Sequence, residues 1–374
     1  MSPSGKKSFP RLIAWEVTRR CSLNCLHCRA SAQDIPYQNE LSLDECKQLL
    51  DGMTQFTPTP IMIVTGGDPM MRPDIFDIIE YGNSLGLRMV IALCGQHLSP
   101  DIMRRLKKSG IMKASFSLDG STAESHDTFR RVPGSFDAVM ESMAYAREAN
   151  VAFQVNSTIS KYNVSELPGI LDLVITSGAD SFHPFLLVPT GNAKDLLDME
   201  LAPEEYEKTL RWIYAKSQEI EEITVKPTCA PHYYRIVRQE QKGKPKPQSA
   251  PHGHGHPHGH GGHPQGHGFS SMTKGCLGGQ GFAFVSHTGK VQICGFLDVE
   301  CGDVRDTDFQ FKPIWETSPV FQQMRDIDGY HGRCGVCEYR NVCGGCRARA
   351  YNVTGDYLDS EPFCSYVPRA MRED

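Results

Sequence analysis

From Arg11 to about Lys226 the chain switches repeatedly between two hydrophobic rhythms. Short apolar runs at Leu12–Val17, Ile61–Thr65, Arg88–Leu93, Lys113–Leu118, Val151–Thr158 and Ser181–Leu187 have the length and residue types of buried strands. Longer segments with a helical period lie between them: Leu43–Gln55, Asp74–Leu85, Pro100–Ser109, Phe136–Asn150 and Val164–Ser177. A further helix is predicted at Pro203–Glu222. Strands alternating with helices predict a parallel sheet built from βα units. Six such repeats predict an α/β fold, a partial (β/α)6 TIM-like barrel. Functional groups in such folds gather at the C-terminal ends of the strands.

The rhythm stops after the last helix. Lys242–Gly268 is rich in Gly, Pro and His, and His252–His267 holds seven of the fourteen histidines. Such a stretch cannot bury a core and is expected to be a loop or linker with weak Ni²⁺ or Zn²⁺ affinity and no part in catalysis. Beyond it, Gly275–Asp374 is rich in Cys and Gly and shows few long periodic runs. Metal is expected to hold that part together. The expected organisation is an N-terminal tail (1–10), a core (11–226), a linker with the insert (227–274) and a Cys-rich C-terminal domain (275–374).

Bulk composition narrows the function. The chain has 374 residues, 40% hydrophobic and 22% charged, enough for a large core. A net charge of −5 gives no electrostatic reason to expect nucleic acid or an anionic membrane. No apolar stretch is long enough to span a bilayer, and Met1–Pro10 lacks the apolar centre of a signal peptide. The expected location is the cytoplasm. There, fourteen cysteines point to metal or iron–sulfur ligation and not to disulfides.

The cysteines cluster. Directly after the first predicted strand stand Cys21, Cys25 and Cys28, spaced C-x3-C-x2-C. Three thiolates on one short loop can hold three irons of a cubane. The fourth iron then keeps an open position, which a small molecule can occupy. The competing reading of these three residues is a zinc site with its fourth ligand elsewhere.

This segment resembles the radical S-adenosylmethionine (SAM) superfamily, in which the free iron of a [4Fe–4S] cluster binds the amino and carboxylate groups of SAM. Gly66-Gly67-Asp68-Pro69, after the second strand, matches the superfamily's Gly-Gly-Glu-Pro motif, with Asp in place of Glu. The resemblance implies that Gly66, Gly67 and Asp68 meet the SAM amino group. It also implies that Ser117 lies on the ribose side and that Arg130 captures the carboxylate, a task suited to a bidentate guanidinium. Asp119 is a candidate catalytic residue, with turn formation as the alternative.

The later cysteines read Cys276, then Gly289-x4-Cys294, then Cys334-x2-Cys337-x5-Cys343-x2-Cys346-x17-Cys364. The pattern resembles the SPASM iron–sulfur extension of radical SAM enzymes, with x2 where x3 is usual before Cys346. The resemblance implies one or two auxiliary [4Fe–4S] clusters: an outer one on Cys334, Cys337, Cys343 and Cys364, and an inner one on Cys276, Cys294 and Cys346. Cys301 or Cys229 is available to complete the inner set, or substrate binds there. Taken alone, these C-x2-C pairs serve zinc equally well. Of the remaining cysteines, Cys46 is expected to pack in the core, and so is Cys94, with a place at the barrel mouth as its alternative.

The opening Arg11–Cys21 and His27-Cys28-Arg29-Ala-Ser-Ala resemble the haem-biosynthesis branch, most of all the haem b synthases of the siroheme-dependent route. That resemblance implies an oxidoreductase that decarboxylates two propionates of Fe-coproporphyrin III to vinyl groups, giving haem b. It implies an iron-tetrapyrrole substrate and a low-potential electron donor such as flavodoxin or ferredoxin. Arg19, Arg20, Arg29 and Arg235 are candidate partners for an acidic porphyrin, and His232 a candidate catalytic residue that could approach the haem iron. Alternatives are a sister enzyme (siroheme decarboxylase or haem d1 synthesis), a peptide-modifying maturase, and a zinc-binding scaffold without catalysis. The short stretch before the first strand counts against the maturase, which often carries an N-terminal peptide-recognition domain.

Overall fold

The computed structural model describes residues 8–242 and 274–372. The histidine-rich stretch lies outside the described residues. Seven strands follow in chain order: β1 (Leu12–Thr18), β2 (Ile61–Gly66), β3 (Arg88–Leu93), β4 (Ile111–Ser117), β5 (Phe153–Ile159), β6 (Ser181–Leu186) and β7 (Thr224–Val225). Each is parallel to the next, as in the pairs Leu12–Ile61 and Phe116–Val155. Helices α1 (Leu43–Met53), α2 (Ile75–Ser84), α3 (Pro100–Lys108), α4 (Ala123–Arg130), α5 (Ser135–Glu148), α6 (Leu167–Ser177) and α7 (Pro203–Glu219) fill the crossovers.

Local chemistry explains the helix ends. Ser42 and Glu45 form a reciprocal capping box at the start of α1. Ser99 caps α3 ahead of Pro100, and Arg105, Lys107 and Lys108 sit in its last turn, where the helix dipole favours cations. Helix α7 stops at Glu219, short of the expected Glu222, because Ile220 turns extended. Glu221 and Glu222 would have placed negative charge at a negative dipole end.

In β5, Phe153, Val155, Ser157 and Ile159 are buried, while Gln154, Asn156 and Thr158 between them are half-buried. The period of two therefore packs one face under the helices and leaves a polar row on the other. Ser117, the last residue of β4, stands opposite Asn156.

The Cys-rich part continues the same sheet. Strand β8 (Phe282–Val285) pairs in parallel with β1, and β9 (Lys290–Cys294) and β10 (Leu297–Asp303) follow antiparallel. The full order is β10-β9-β8-β1-β2-β3-β4-β5-β6-β7, an open curved wall with β1 inside it. Helix α8 (His232–Glu240) lies within the stretch read as linker, and its His232, Tyr233, Arg235 and Ile236 are buried. Helices α9 (Phe311–Thr317) and α10 (Pro319–Arg325) bury Phe311, Trp315, Phe321 and Met324. Short α11 (Gly332–Val336) and α12 (Arg347–Thr354) complete the chain's regular structure. Among the described residues, no helix is long and apolar enough to cross a membrane.

Candidate active site

Strand β1 delivers the first three thiols. Beyond Thr18 the chain leaves the sheet as a loop, and Gly66-Gly67-Asp68 at the end of β2 closes on it. Gly67 and Asp68 N–H groups donate to the Thr18 and Arg20 carbonyls at 2.9 and 2.8 Å. A Cβ on Gly66 would lie 2.5 Å from the Thr18 oxygen, and one on Gly67 2.4 Å from that of Arg19. The two glycines are what allow this approach. The loop is fastened on its other side by Asn192, which bonds the Cys25 carbonyl through its side chain and the Cys28 carbonyl through its N–H, both at 2.9 Å.

The thiols are supported from within. Leu23 N–H points at Cys21 Sγ and Ala32 N–H at Cys28 Sγ, each at 3.4 Å. Arg130 Nη1 reaches Cys25 Sγ at 3.7 Å. Burial pushes the Cys25 thiol up to about 12, against the pull of Arg130. Metal binding would have to displace that proton.

Cys94, expected to be core filler, is part of this cluster. Its thiol donates to Asp68 Oδ2 at 2.9 Å and stands beside Cys21. Asp68 is fully buried, and its other oxygen accepts from Met70 N–H at 3.0 Å. The motif's acidic side chain thus faces inward as a brace, leaving backbone toward the loop.

Asp119 and Arg130 form a second brace. Arg130 Nε and Nη2 bond Asp119 Oδ2 at 2.7 and 2.5 Å, and Thr158 N–H donates to Oδ1 at 2.7 Å. His126, one turn before Arg130, accepts from the Asp119 N–H at 3.1 Å. Burial works against the Asp119 carboxylate, but Arg130, with His27 and His126, holds it below the usual range. His27 stacks on Phe129 at 4.4 Å, and burial drops its pKa to about 4, so the ring is neutral near pH 7. Its Nδ1 is buried without a partner, next to the thiol loop. His27 stands inside the cysteine motif, and its sequence position alone assigns it no role. An imidazole between two cysteines of the motif was the available signal.

The later thiols fall into two groups. Cys334, Cys337, Cys343 and Cys364 line one cavity with His232, Arg235 and Glu361. Backbone N–H groups of Glu361, Tyr339 and Gly345 point at Cys334, Cys337 and Cys343 at 3.3–3.4 Å, and Arg347 Nη2 reaches Cys334 at 3.3 Å. Burial raises Cys343 and Cys364. The other group comprises Cys229, Cys276, Cys294 and Cys346, whose thiols act on one another electrostatically. Cys301 stands elsewhere, against Val299 and Ser318. Among the described residues, no three Cys, His, Asp or Glu converge as ligands of one ion. Thiols that serve a cubane are spread over separate irons.

His232 lies between these groups. It is buried, lines the outer cavity, packs against Tyr206 and approaches Glu361 at 3.7 Å with its Nε2 otherwise unpartnered. Glu361 in turn accepts from Cys346 N–H at 2.6 Å. The structure places His232 among the later thiols, not on the Cys21 loop. Arg235, similarly, is spent on Glu207, with Nη2 at 2.5 Å. Arg20 pairs with Asp34 at 2.6 Å at the surface.

Glu16, buried on β1, gathers Arg19 at 3.1 Å, Arg29 at 2.9 Å and His287 at 2.7 Å. Although burial opposes it, this company holds the Glu16 pKa at about 2.

Comparison with known proteins places this arrangement. The radical SAM superfamily model matches residues 15–174, which takes in the end of β1, the thiol loop and both braces. An AdoMet-dependent heme synthase of Nitratidesulfovibrio vulgaris is 46% identical over 96% of this chain and 94% of its own. The chain belongs to the radical SAM superfamily, in the family of the AdoMet-dependent heme synthases. A Methanosarcina barkeri member of that family is 44% identical over 96% of this chain and 97% of its own. The Fe-coproporphyrin III synthase of the same organism is 29% identical over 94% of this chain and 87% of its own. The radical SAM fold extends to solved structures. Streptococcus suis SuiB bound to S-adenosylmethionine has a TM-score of 0.71 at 15% identity, covering 96% of this chain and 78% of that one. Native anSMEcpe with bound AdoMet has a TM-score of 0.68 at 14% identity, covering 95% and 94%. Membership makes this chain an enzyme that uses a [4Fe–4S] cluster and SAM, and the donor chemistry around Cys21, Cys25 and Cys28 fits that group.

Proposed function

We propose that this enzyme makes haem b by oxidative decarboxylation of two propionates of Fe-coproporphyrin III. The observation that carries the reading is near-full-length identity of 44–46% to proteins named AdoMet-dependent heme synthase, against 29% to the Fe-coproporphyrin III synthase. With cluster and SAM bound, the site supplies a 5′-deoxyadenosyl radical able to take hydrogen from an unactivated carbon. The chain's own residues do the rest. Gly66 and Gly67 present backbone to the SAM amino group, and Ser117 at the end of β4 takes the ribose side. Arg130 commits Nε and Nη2 to Asp119 and Nη1 to Cys25, and the second N–H on each of Nη1 and Nη2 is left for the SAM carboxylate. Asp119 acts through Arg130 and His27 as a positioning residue.

The later thiols would hold auxiliary clusters, which would supply one-electron redox chemistry. Cys334, Cys337, Cys343 and Cys364 hold an outer auxiliary [4Fe–4S] cluster. Cys276, Cys294 and Cys346 hold an inner one, with Cys229 and not Cys301 as its fourth ligand. Four protein thiolates would leave the inner cluster no open corner, which suits electron transfer better than substrate ligation. His232 and Glu361 sit between the two sets and fix their spacing. A flavodoxin- or ferredoxin-type carrier supplies the low-potential electron to the first cluster.

The deciding experiment is anaerobic incubation with SAM, reductant and Fe-coproporphyrin III, followed by mass analysis. Two successive losses of carbon dioxide are expected. Formation of 5′-deoxyadenosine with intact substrate would overturn the choice of substrate.

A further inference from the structure

Arg29 follows Cys28 in the chain, but its side chain crosses to the other wall of the site. Nη1 bonds Glu16 at 2.9 Å. The guanidinium carbon lies 4.6 Å from the centre of the Phe284 ring, on β8. Nε is 3.1 Å from where a Cβ on Gly295 would stand, so the glycine leaves room for the fork. Its charge acts on the Cys294 thiol. Nη2 is buried and has no hydrogen-bond partner.

The surroundings do not neutralise this fork. Glu16 carries one negative charge, kept ionised at neutral pH, and shares it between Arg19 and Arg29. Two guanidinium groups share the one Glu16 carboxylate, and Nη2 of Arg29 has no acceptor of its own. A half-used fork with a desolvated N–H₂ edge matches a carboxylate in both charge and shape. The fork spans from Glu16 on β1, beside the first thiol set, to Phe284 and Gly295, beside Cys294. A substrate that gives a hydrogen atom to one side and an electron to the other has to lie there.

We propose that Arg29 Nη2 is a carboxylate-binding subsite, and that its ligand is a propionate of the tetrapyrrole substrate. The proposal rests on the haem-synthesis reading for the identity of that substrate. SAM also carries a carboxylate, but the side chain points to Phe284 and Gly295, away from the Gly66–Asp68 wall that closes on the thiol loop.

The test is a ligand–protein cycle. Wild type, Arg29→Gln and Arg29→Lys, matched for iron content and for the electron paramagnetic resonance signal of the first cluster, are titrated anaerobically in the presence of SAM. The two probes are Fe-coproporphyrin III and its tetramethyl ester, followed by porphyrin absorption. SAM affinity is measured separately by equilibrium dialysis. Wild type should prefer the acid to the ester, and R29Q should shrink that preference by about tenfold or more, the scale of one charge-assisted pair. R29K, which keeps the charge but not the fork, should fall between. If R29Q does not assemble, the R29K ratio decides. An acid–ester ratio equal to that of wild type overturns the proposal, as does a loss confined to SAM affinity, which would assign the carboxylate to SAM. Wild type that binds the acid but releases no carbon dioxide overturns the haem reading alone, because the binding cycle still judges Arg29. Wild type that binds neither probe overturns both.

Discussion

Glu16 shows how a single buried charge can organise a wall of the site. Its carboxylate would be costly to bury alone, yet Arg29, His287 and Arg19 hold its pKa at about 2 against a usual 4.5. A depressed carboxylate contributes stability that is complete above the unfolded pKa and is lost as pH falls through the folded one. The expected effect, on the order of 3 kcal/mol, therefore disappears between about pH 4.5 and pH 2. Chemical denaturation of cluster-free protein across that range should show the slope, and Glu16→Gln should flatten it; an unchanged slope would remove the argument. The cysteines of the first motif were legible from spacing alone. Neither Glu16 nor Cys94 was, because their roles depend on partners far off in sequence: His287 for one, Asp68 for the other. An isolated cysteine at the end of a strand reads as apolar filler until the fold brings a carboxylate to it.

Among the elements, β1 to β6 were legible because each carries a short apolar pattern, nearly continuous in β1 and alternating in β5. Five intervening helices were legible from their period. Helix α4 was not: it is eight residues long and ends on Arg130, which is buried by pairing with Asp119 and not by apolar character. Helix α8 hides for the same reason, since it buries His232 and Arg235 beside Tyr233 and Ile236. Strands β8 and β9, four and five residues long, are too short to stand out, and β10 mixes charged residues and Gly302 with its apolar positions. At this scale the core is tested at Phe116 in β4, which is fully buried and packs edge-on against Phe153 at 5.5 Å. Phe116→Ala should cost about 3–5 kcal/mol in urea denaturation, since both the transfer and the cavity terms are lost. A cost under about 1 kcal/mol would mean that the sheet relaxes around the gap.

For the molecule as a whole, the decisive arrangement is the meeting of Cys229 with Cys276, Cys294 and Cys346. Sequence spacing left Cys229 and Cys301 equal, because no motif links position 229 to a cysteine beyond a histidine-rich insert. The fold separates them, for Arg349, fully buried, clamps the carbonyls of Cys229 and Leu187 at 2.6 Å each. Cys229→Ala should thus lower iron and sulfide content by about one cluster while Cys301→Ala leaves both unchanged, as measured on anaerobically reconstituted protein. Equal iron in wild type and C229A would return the fourth position of the inner set to another ligand.

The pairing of β8 with β1 has a consequence for biosynthesis. Leu12 finds its neighbour Phe282 only after about 270 further residues have been made. At an elongation rate of roughly 5–20 residues per second, one rim of the earliest strand stays bare for about fifteen to fifty seconds. That rim carries Leu, Ile, Trp and Val, a sequence prone to pair with any other nascent chain. Overproduction should therefore depend on slow translation or added chaperones, and a version cut before β8 should precipitate even when supplied with iron and sulfide.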